Sequence, residues 1–282
     1  MTSPTALDID HLRSWIGREE AASESVSPEL VRKFRAMFDE EPGDPQPGDL
    51  APTLLHWCLA QPVAQTKALG PDGHPARGGF LPPVPLPRRM WAAGSFVFHD
   101  ALKVGDAVRR LSRIDNVEVK TGRTGTLCFV TVMHEVTAGD RAILTERQDI
   151  VYRDLDSGVQ KAAPPPAPEG HHRRAVDPSP PLLFRYSALT FNGHRIHYDH
   201  PYVTQVEGYP GLVVHGPMQA TLMLRYAAEL KGAAPARFSF RGLSPLFDNE
   251  MFHVHAEPEG AGIKLWTARA GGPVAMTAEA AW

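Results

Sequence analysis

Cysteine is scarce: the chain of 282 residues has two, Cys58 and Cys128. Each sits in apolar company, in LLHWCLAQ and GTLCFVTV. That fits two buried, reduced thiols in a cytosolic protein and leaves no cysteine set for a structural zinc ion. Surplus charge is missing too, with 29 Lys+Arg against 32 Asp+Glu and a net charge of −3. No basic excess points to nucleic acid, and no acidic tail is present. Nowhere is there an apolar run long enough to span a bilayer. The opening MTSPTALDIDHLRSW has neither a charged n-region nor an apolar h-region, so no signal peptide is expected. A cytoplasmic protein without membrane or nucleic-acid partners is the expectation. At 43% hydrophobic and 22% charged the composition is that of a globular protein, one large domain or two small ones.

Proline, by contrast, is abundant at 27 residues. PGDPQPGDLAP (42–52), FLPPVPLPRR (80–89) and AAPPPAPEGHHRRAVDPSPP (162–181) cannot form regular helix. The third reads as a linker over 161–181, between a first half of 1–160 and a second of 182–282. The halves look alike. FVFHDALKVGD from Phe96 and FSFRGLSPLFD from Phe238 match at an offset of 142 residues, which also aligns Val104 with Leu246 and Asp106 with Asp248. Strands are expected near 108–120, 126–137 and 141–152, the last two joined by TAGD. Their counterparts are EMFHVHAE, IKLWTARA and PVAMTAEAAW, with RAGGP at the matching joint. GPMQATLMLRYAAEL (216–230) carries Met218, Leu222, Tyr226 and Leu230 on one helical stripe, with Pro217 in its first turn. APTLLHWCLAQPVAQTKALG is its expected partner helix in the first half, kinked or ended at Pro62.

FNGHRIHYD, residues 191–199, places His194, His197 and Asp199 within six positions. One reading is a metal site, for which no remote His, Asp or Glu cluster offers a third ligand. Another is a polar loop, since loops are polar. A third is catalytic. GYPGLVVHGPMQ carries the chain on through His215 to a helix start at Gly216-Pro217. Free backbone N–H groups there suit a developing oxyanion, and a histidine on the loop suits a general base.

The segment YSALTFNGHRIHYD…YPGLVVHGPMQATLM resembles the MaoC-like hydratases of the hotdog superfamily. Their loop reads Gly-Asp-x-Asn-Pro-(aliphatic)-His and is followed by an aliphatic-His-Gly helix entry. The likeness assigns His197 as the catalytic histidine and puts Asn192 where the family has its catalytic Asp; His194 and Arg195 replace Asn-Pro. His194, Asp199 and His215 become supporting candidates. The bacterial mesaconyl-C4-CoA (3-methylfumaryl-CoA) and itaconyl-CoA hydratases form the branch it resembles, next to the mitochondrial-type 3-hydroxyacyl-thioester dehydratases. GPDGHPARGGFLPPVPLPRRMWAAG and LRSWIGREE extend the likeness to the first half.

The resemblance implies an α+β double hotdog, two antiparallel sheets each wrapped around a long helix. It implies reversible hydration of a short 2-enoyl-CoA, most of all mesaconyl-C4-CoA or itaconyl-CoA to citramalyl-CoA. The Gly216 N–H would polarise the thioester and Asn192 would hold the water. No metal or redox cofactor is expected, because CoA belongs to the substrate, and a homodimer is expected. Arg88, Arg89 and Arg195 are candidates for a distal carboxylate or for CoA phosphate, with Trp91 beside them. The segment from Arg77 to Trp91, too Pro-rich for a strand, would line the pocket of a single site in the second half. Two alternatives stand: a dehydratase acting on acyl-carrier-protein substrates, and a non-catalytic acyl-thioester binding protein.

Overall fold

A computed structural model describes residues 7–122, 125–154 and 164–282. In chain order the elements are α1 (Ile9–Arg13), β1 (Glu19–Ser25), α2 (Pro28–Met37), β2 (Arg88–Phe98), β3 (Ala107–Gly122), β4 (Gly125–Ala138) and β5 (Arg141–Arg153). Then come β6 (His172–Val176), α3 (Pro180–Leu189), α4 (His200–Gln205), α5 (Gly216–Lys231), β7 (Arg237–Gly242), β8 (Phe252–Glu259), β9 (Gly262–Arg269) and β10 (Met276–Ala281). Single 3₁₀ turns lie at Leu55–Cys58, Thr66–Ala68 and Arg195–His197.

The strands form one antiparallel sheet of ten, in the order β1-β3-β4-β5-β2-β7-β10-β9-β8-β6. Read outward from the β2–β7 seam, each half repeats the same order. At the seam Phe96 pairs with Phe238, its counterpart at the offset of 142. Two positions along, Gly94 pairs with Phe240, whose ring would lie 2.6 Å from any Cβ added at Gly94. One hydrophobic core runs through both halves, from Phe34, Leu55 and Phe96 to Met218, Leu224, Phe238 and Phe252. The double hotdog is thus present, with its two sheets fused edge to edge. Among the described residues no helix is long and apolar enough to cross a membrane.

Pro217 opens α5, and Gly232 ends it in the left-handed region at φ 77°. Met218, Ala220, Met223, Leu224 and Ala227 are fully buried and Tyr226 nearly so, whereas Leu222 and Leu230 of the expected stripe are half-buried, so the buried face is turned from the one expected. The matching helix of the first half does not form, which corrects the expectation of a long helix in each sheet. Leu54 takes φ 63°, and only the 3₁₀ turn Leu55–Cys58 follows. Leu54 and Ala60 take positive φ, 63° and 52°, which interrupts any helix between them, and Pro62 disfavours helical backbone at Gln61. Its place is taken by Leu55, Trp57 and Leu59, and by a buried polar contact with β5. There Glu146 accepts from Trp57 Nε1 at 2.9 Å and lies 3.1 Å from His56 Nε2. Burial alone would raise the Glu146 carboxyl; the hydrogen bond and charge of His56 outweigh it and hold the pKa to about 2.

Two other boundaries differ from expectation. Residues 88–91 are the first rungs of β2, so the Arg77–Trp91 segment is not strand-free; its prolines stop at Pro87. The 161–181 linker contains β6, which pairs with β8, and its last two residues begin α3. Residues 161–163 of that linker, like 155–160 of the first half, lie outside the described residues.

Candidate active site

The loop after α3 is shaped by its own polar groups. Phe191 takes φ 51°, and the Asn192 N–H donates to Ser187 O at 2.8 Å. Asn192 Oδ1 accepts from the His194 N–H at 3.0 Å, an Asx-type turn. The 3₁₀ turn Arg195–His197 then brings His197 inward, where it is 7% exposed. Its Nδ1 lies 2.7 Å from Val213 O. A carbonyl only accepts, so the proton is on Nδ1 and the lone pair on Nε2. Burial lowers the His197 pKa to about 4, against the opposing effect of the Val213 bond, so the ring is neutral at pH 7.

Val213 also donates its N–H to Ile196 O at 2.9 Å, which ties the loop to the run entering α5. His215, fully buried, is the N-cap residue of α5, and its ring stacks on that of His197. Its Nε2 lies 2.8 Å from Ser187 Oγ. Among the described residues nothing accepts from the Gly216 N–H, the first donor of α5. A neutral imidazole lone pair thus sits against the N-terminus of a buried helix, whose dipole favours negative charge.

The first half contributes unforeseen residues. The turn Gly70–Ala76, closed by the Leu69–Pro75 bridge, docks on the His194 loop. Gly73, at φ 87°, approaches Gly193 so closely that a Cβ there would lie 1.9 Å from Gly193 O. Asp72 O accepts from the Arg195 N–H at 2.9 Å. His74 Nδ1 is 3.1 Å from Asp72 Oδ2. The His74 and His194 rings are 4.1 Å apart between centroids, and His194 and His197 5.4 Å. Burial lowers His194 far below an ordinary imidazole, helped by His74 and His197.

Of the expected site residues, Asn192, His194, His197, His215 and Gly216 lie in this one cluster. Asp199 instead caps α4, accepting from the Tyr202 N–H at 3.1 Å, and pairs with Arg195 at 2.8 Å. Arg195 is spent on Asp199, on Pro71 O and on the Tyr202 ring. Arg88 reaches the second half, where it donates to Glu207 O at 3.2 Å. Trp91 packs between Trp57 and Phe240 with its indole N–H on Ala93 O. Arg89, paired with Tyr152 across β2 and β5, is near enough for its charge to act on both His74 and His194. The Asp-Gly-His of GPDGHPARGG was the available signal: an Asp two residues before a His, across a Gly turn.

Residues 53–248 match the family described as hydroxyacyl-thioester dehydratase type 2. The chain belongs to this family. It is 43% identical over 267 residues to the mesaconyl-C(4)-CoA hydratase of Chloroflexus aurantiacus, covering 94% of this chain and 95% of that protein. The fold is similar to that of a MaoC-like dehydratase from Phytophthora capsici, with a TM-score of 0.71, 15% identity and coverage of 98% and 99%. It is also similar to a Mycobacterium tuberculosis protein with a double hotdog fold, at TM-score 0.58, 14% identity and coverage of 94% and 95%. Within the family, the loop with His197 and the α5 entrance lie inside the matched residues.

Proposed function

We propose that the protein is a hydro-lyase that reversibly hydrates a short 2-enoyl-CoA, mesaconyl-C4-CoA foremost and itaconyl-CoA next, to give citramalyl-CoA. One observation carries the reading: the Nε2 lone pair of His197, fixed by the Val213 bond, beside the open N-terminus of α5. The identity to the Chloroflexus hydratase supports the substrate.

In this reading the thioester oxygen accepts from the Gly216 N–H, which draws electrons from the double bond toward the oxygen. With mesaconyl-C4-CoA, water attacks the β-carbon as its proton passes to His197 Nε2, and the imidazolium then returns a proton to the α-carbon, so that one water is added overall. Asn192 has its Oδ1 engaged by the His194 N–H, which leaves its NH₂ to hold the water. No cofactor enters these steps. Cys58 and Cys128 are free and buried, which fits the proposed cytoplasmic location. A homodimer is part of the proposal, to be read by analytical ultracentrifugation.

The test is hydration of mesaconyl-C4-CoA, itaconyl-CoA and crotonyl-CoA side by side, followed by chromatography of the CoA esters. The first should have the highest kcat/KM. Turnover confined to acyl-carrier-protein substrates would move the protein to fatty-acid dehydration, and binding without turnover would make it a thioester-binding protein.

A further inference from the structure

The His74 and His194 rings stand 4.1 Å apart between centroids where the two halves meet, with Arg89 of β2 near enough for its charge to act on both, and nothing in the hydration steps uses the three side chains. Their surroundings are one-sided in charge. Arg77 is consumed by three carbonyls, Val84 O at 2.7 Å, Leu86 O at 2.5 Å and Pro87 O at 2.7 Å. Arg88 is held by Glu207 and Arg195 by Asp199. Among the described residues no carboxylate pairs with Arg89, which lies half-buried on β2 opposite Tyr152. The groups around His74 are Asp72, Arg77, Arg89, His194 and His197. Asp72 is the one anion among them, and it is spent on His74 Nδ1.

We propose that Arg89, His74 and His194 form a carboxylate subsite across the two halves, which takes the free carboxylate of a short dicarboxylic enoyl thioester. The inference rests on the hydratase reading and names what selects its substrate. A guanidinium gives a carboxylate two parallel hydrogen bonds. His194, wedged between His74 and His197, places the subsite within the reach of a short acyl group from His197. Asp72 fixes the His74 Nδ1 proton, so that Nε2 faces away from it. An arriving carboxylate supplies the charge that favours a proton on Nε2, and binding therefore takes up a proton. The docking that assembles the subsite is built into the chain through Gly73 against Gly193 and the Arg195 bonds to the 70–76 turn.

One donor atom each from Asp72, His74 and His194 lie within 4.8 Å of one another, which is also a spacing a metal ion could use. The charge of Arg89 beside them opposes a cation and favours an anion.

The experiment is calorimetric binding of succinyl-CoA and butyryl-CoA. They match in chain length, differ in the terminal carboxylate and have no double bond to hydrate, so the outcome is independent of turnover. The wild-type protein should prefer succinyl-CoA by about tenfold or more, the scale of one charge-assisted bond. The preference should weaken as pH rises from 6 to 8. Arg89→Gln and His74→Gln should each reduce it at least fivefold, and thermal melting would report whether either variant is unfolded. Arg88→Gln, whose partner is Glu207, should leave the ratio of the two affinities in place. Equal affinities for the two thioesters in the wild type overturn the subsite even where enoyl-CoA hydration is observed. A preference abolished by EDTA and restored by Zn²⁺ also overturns it, in favour of a metal centre. Absence of hydration with the preference intact would fail the hydratase reading alone.

Discussion

The imidazole of His197 lies flat on that of His215, with ring centroids 3.6 Å apart and planes within 17°. Two buried imidazoles in that arrangement cannot both carry charge, and burial lowers both pKa values. In the unfolded chain each would titrate near its ordinary 6.5. The folded value is the lower one, so the unfolded state binds more protons below that pH. Stability is therefore fully present above pH 6.5 and is lost as pH falls toward 4. For His197 alone the loss at pH 5 is on the order of 2 kcal/mol. Glu146 and Asp72 have ordinary pKa values of 4.5 and 3.8, so the window from pH 7 to 5 belongs mainly to the imidazoles. The urea midpoint should fall over that window, and one that stays level would contradict the buried neutral pair.

His197→Ala should lower hydration ~100- to ~10,000-fold, the usual cost of losing a general base. Circular dichroism should show the sheet retained. Turnover close to wild type would remove His197 from the chemistry.

Asn192 has two roles that substitution separates. Asn192→Ala loses both the turn bond to the His194 N–H and the NH₂ that holds water, and should cost up to ~100-fold in kcat. Asn192→Asp keeps an oxygen for the turn and should stay active. A kinetically silent Asn192→Ala would show that the side chain does not position the water.

Gly73→Ala puts a methyl group where the Gly193 carbonyl already lies, at a φ of 87° that alanine rarely adopts. The 70–76 turn should lift from the His194 loop. The expected result is a KM for mesaconyl-C4-CoA raised about tenfold or more, with a smaller effect on the melting temperature. A KM unchanged from wild type would mean that the two loops need not touch.

How legible the molecule was depended on how local its signals were. The long strands β3, β4 and β5 carry alternating β-branched residues and a Gly-Asp turn, and their ends fall within two residues of expectation. Helix α5 was readable from its stripe and its Pro217. His197 and Gly216 were readable because one contiguous stretch carries them both. The first-half helix was not, because its apolar pattern survives while the positive φ of Leu54 and Ala60, Pro62 and the partners of Glu146 favour a 3₁₀ turn. Strand β6 was hidden by the prolines that flank it. Asp72 and His74 gave only a turn signal, since what gives them meaning is contact with residues 120 positions away, such as Arg195 and His194. No periodicity encodes such a contact.

The seam between Phe96 and Phe238 has a consequence for how the halves can change. If two identical chains met along this ladder, every substitution would appear twice, and one that emptied a catalytic loop would empty both. Joining them in one polypeptide removes that bond between copies. One half can then give up its helix, accept a buried glutamate and specialise in gripping substrate, while the other keeps the chemistry. The backbone ladder across β2 and β7 keeps the halves in register, so the two can diverge in side chains and stay aligned.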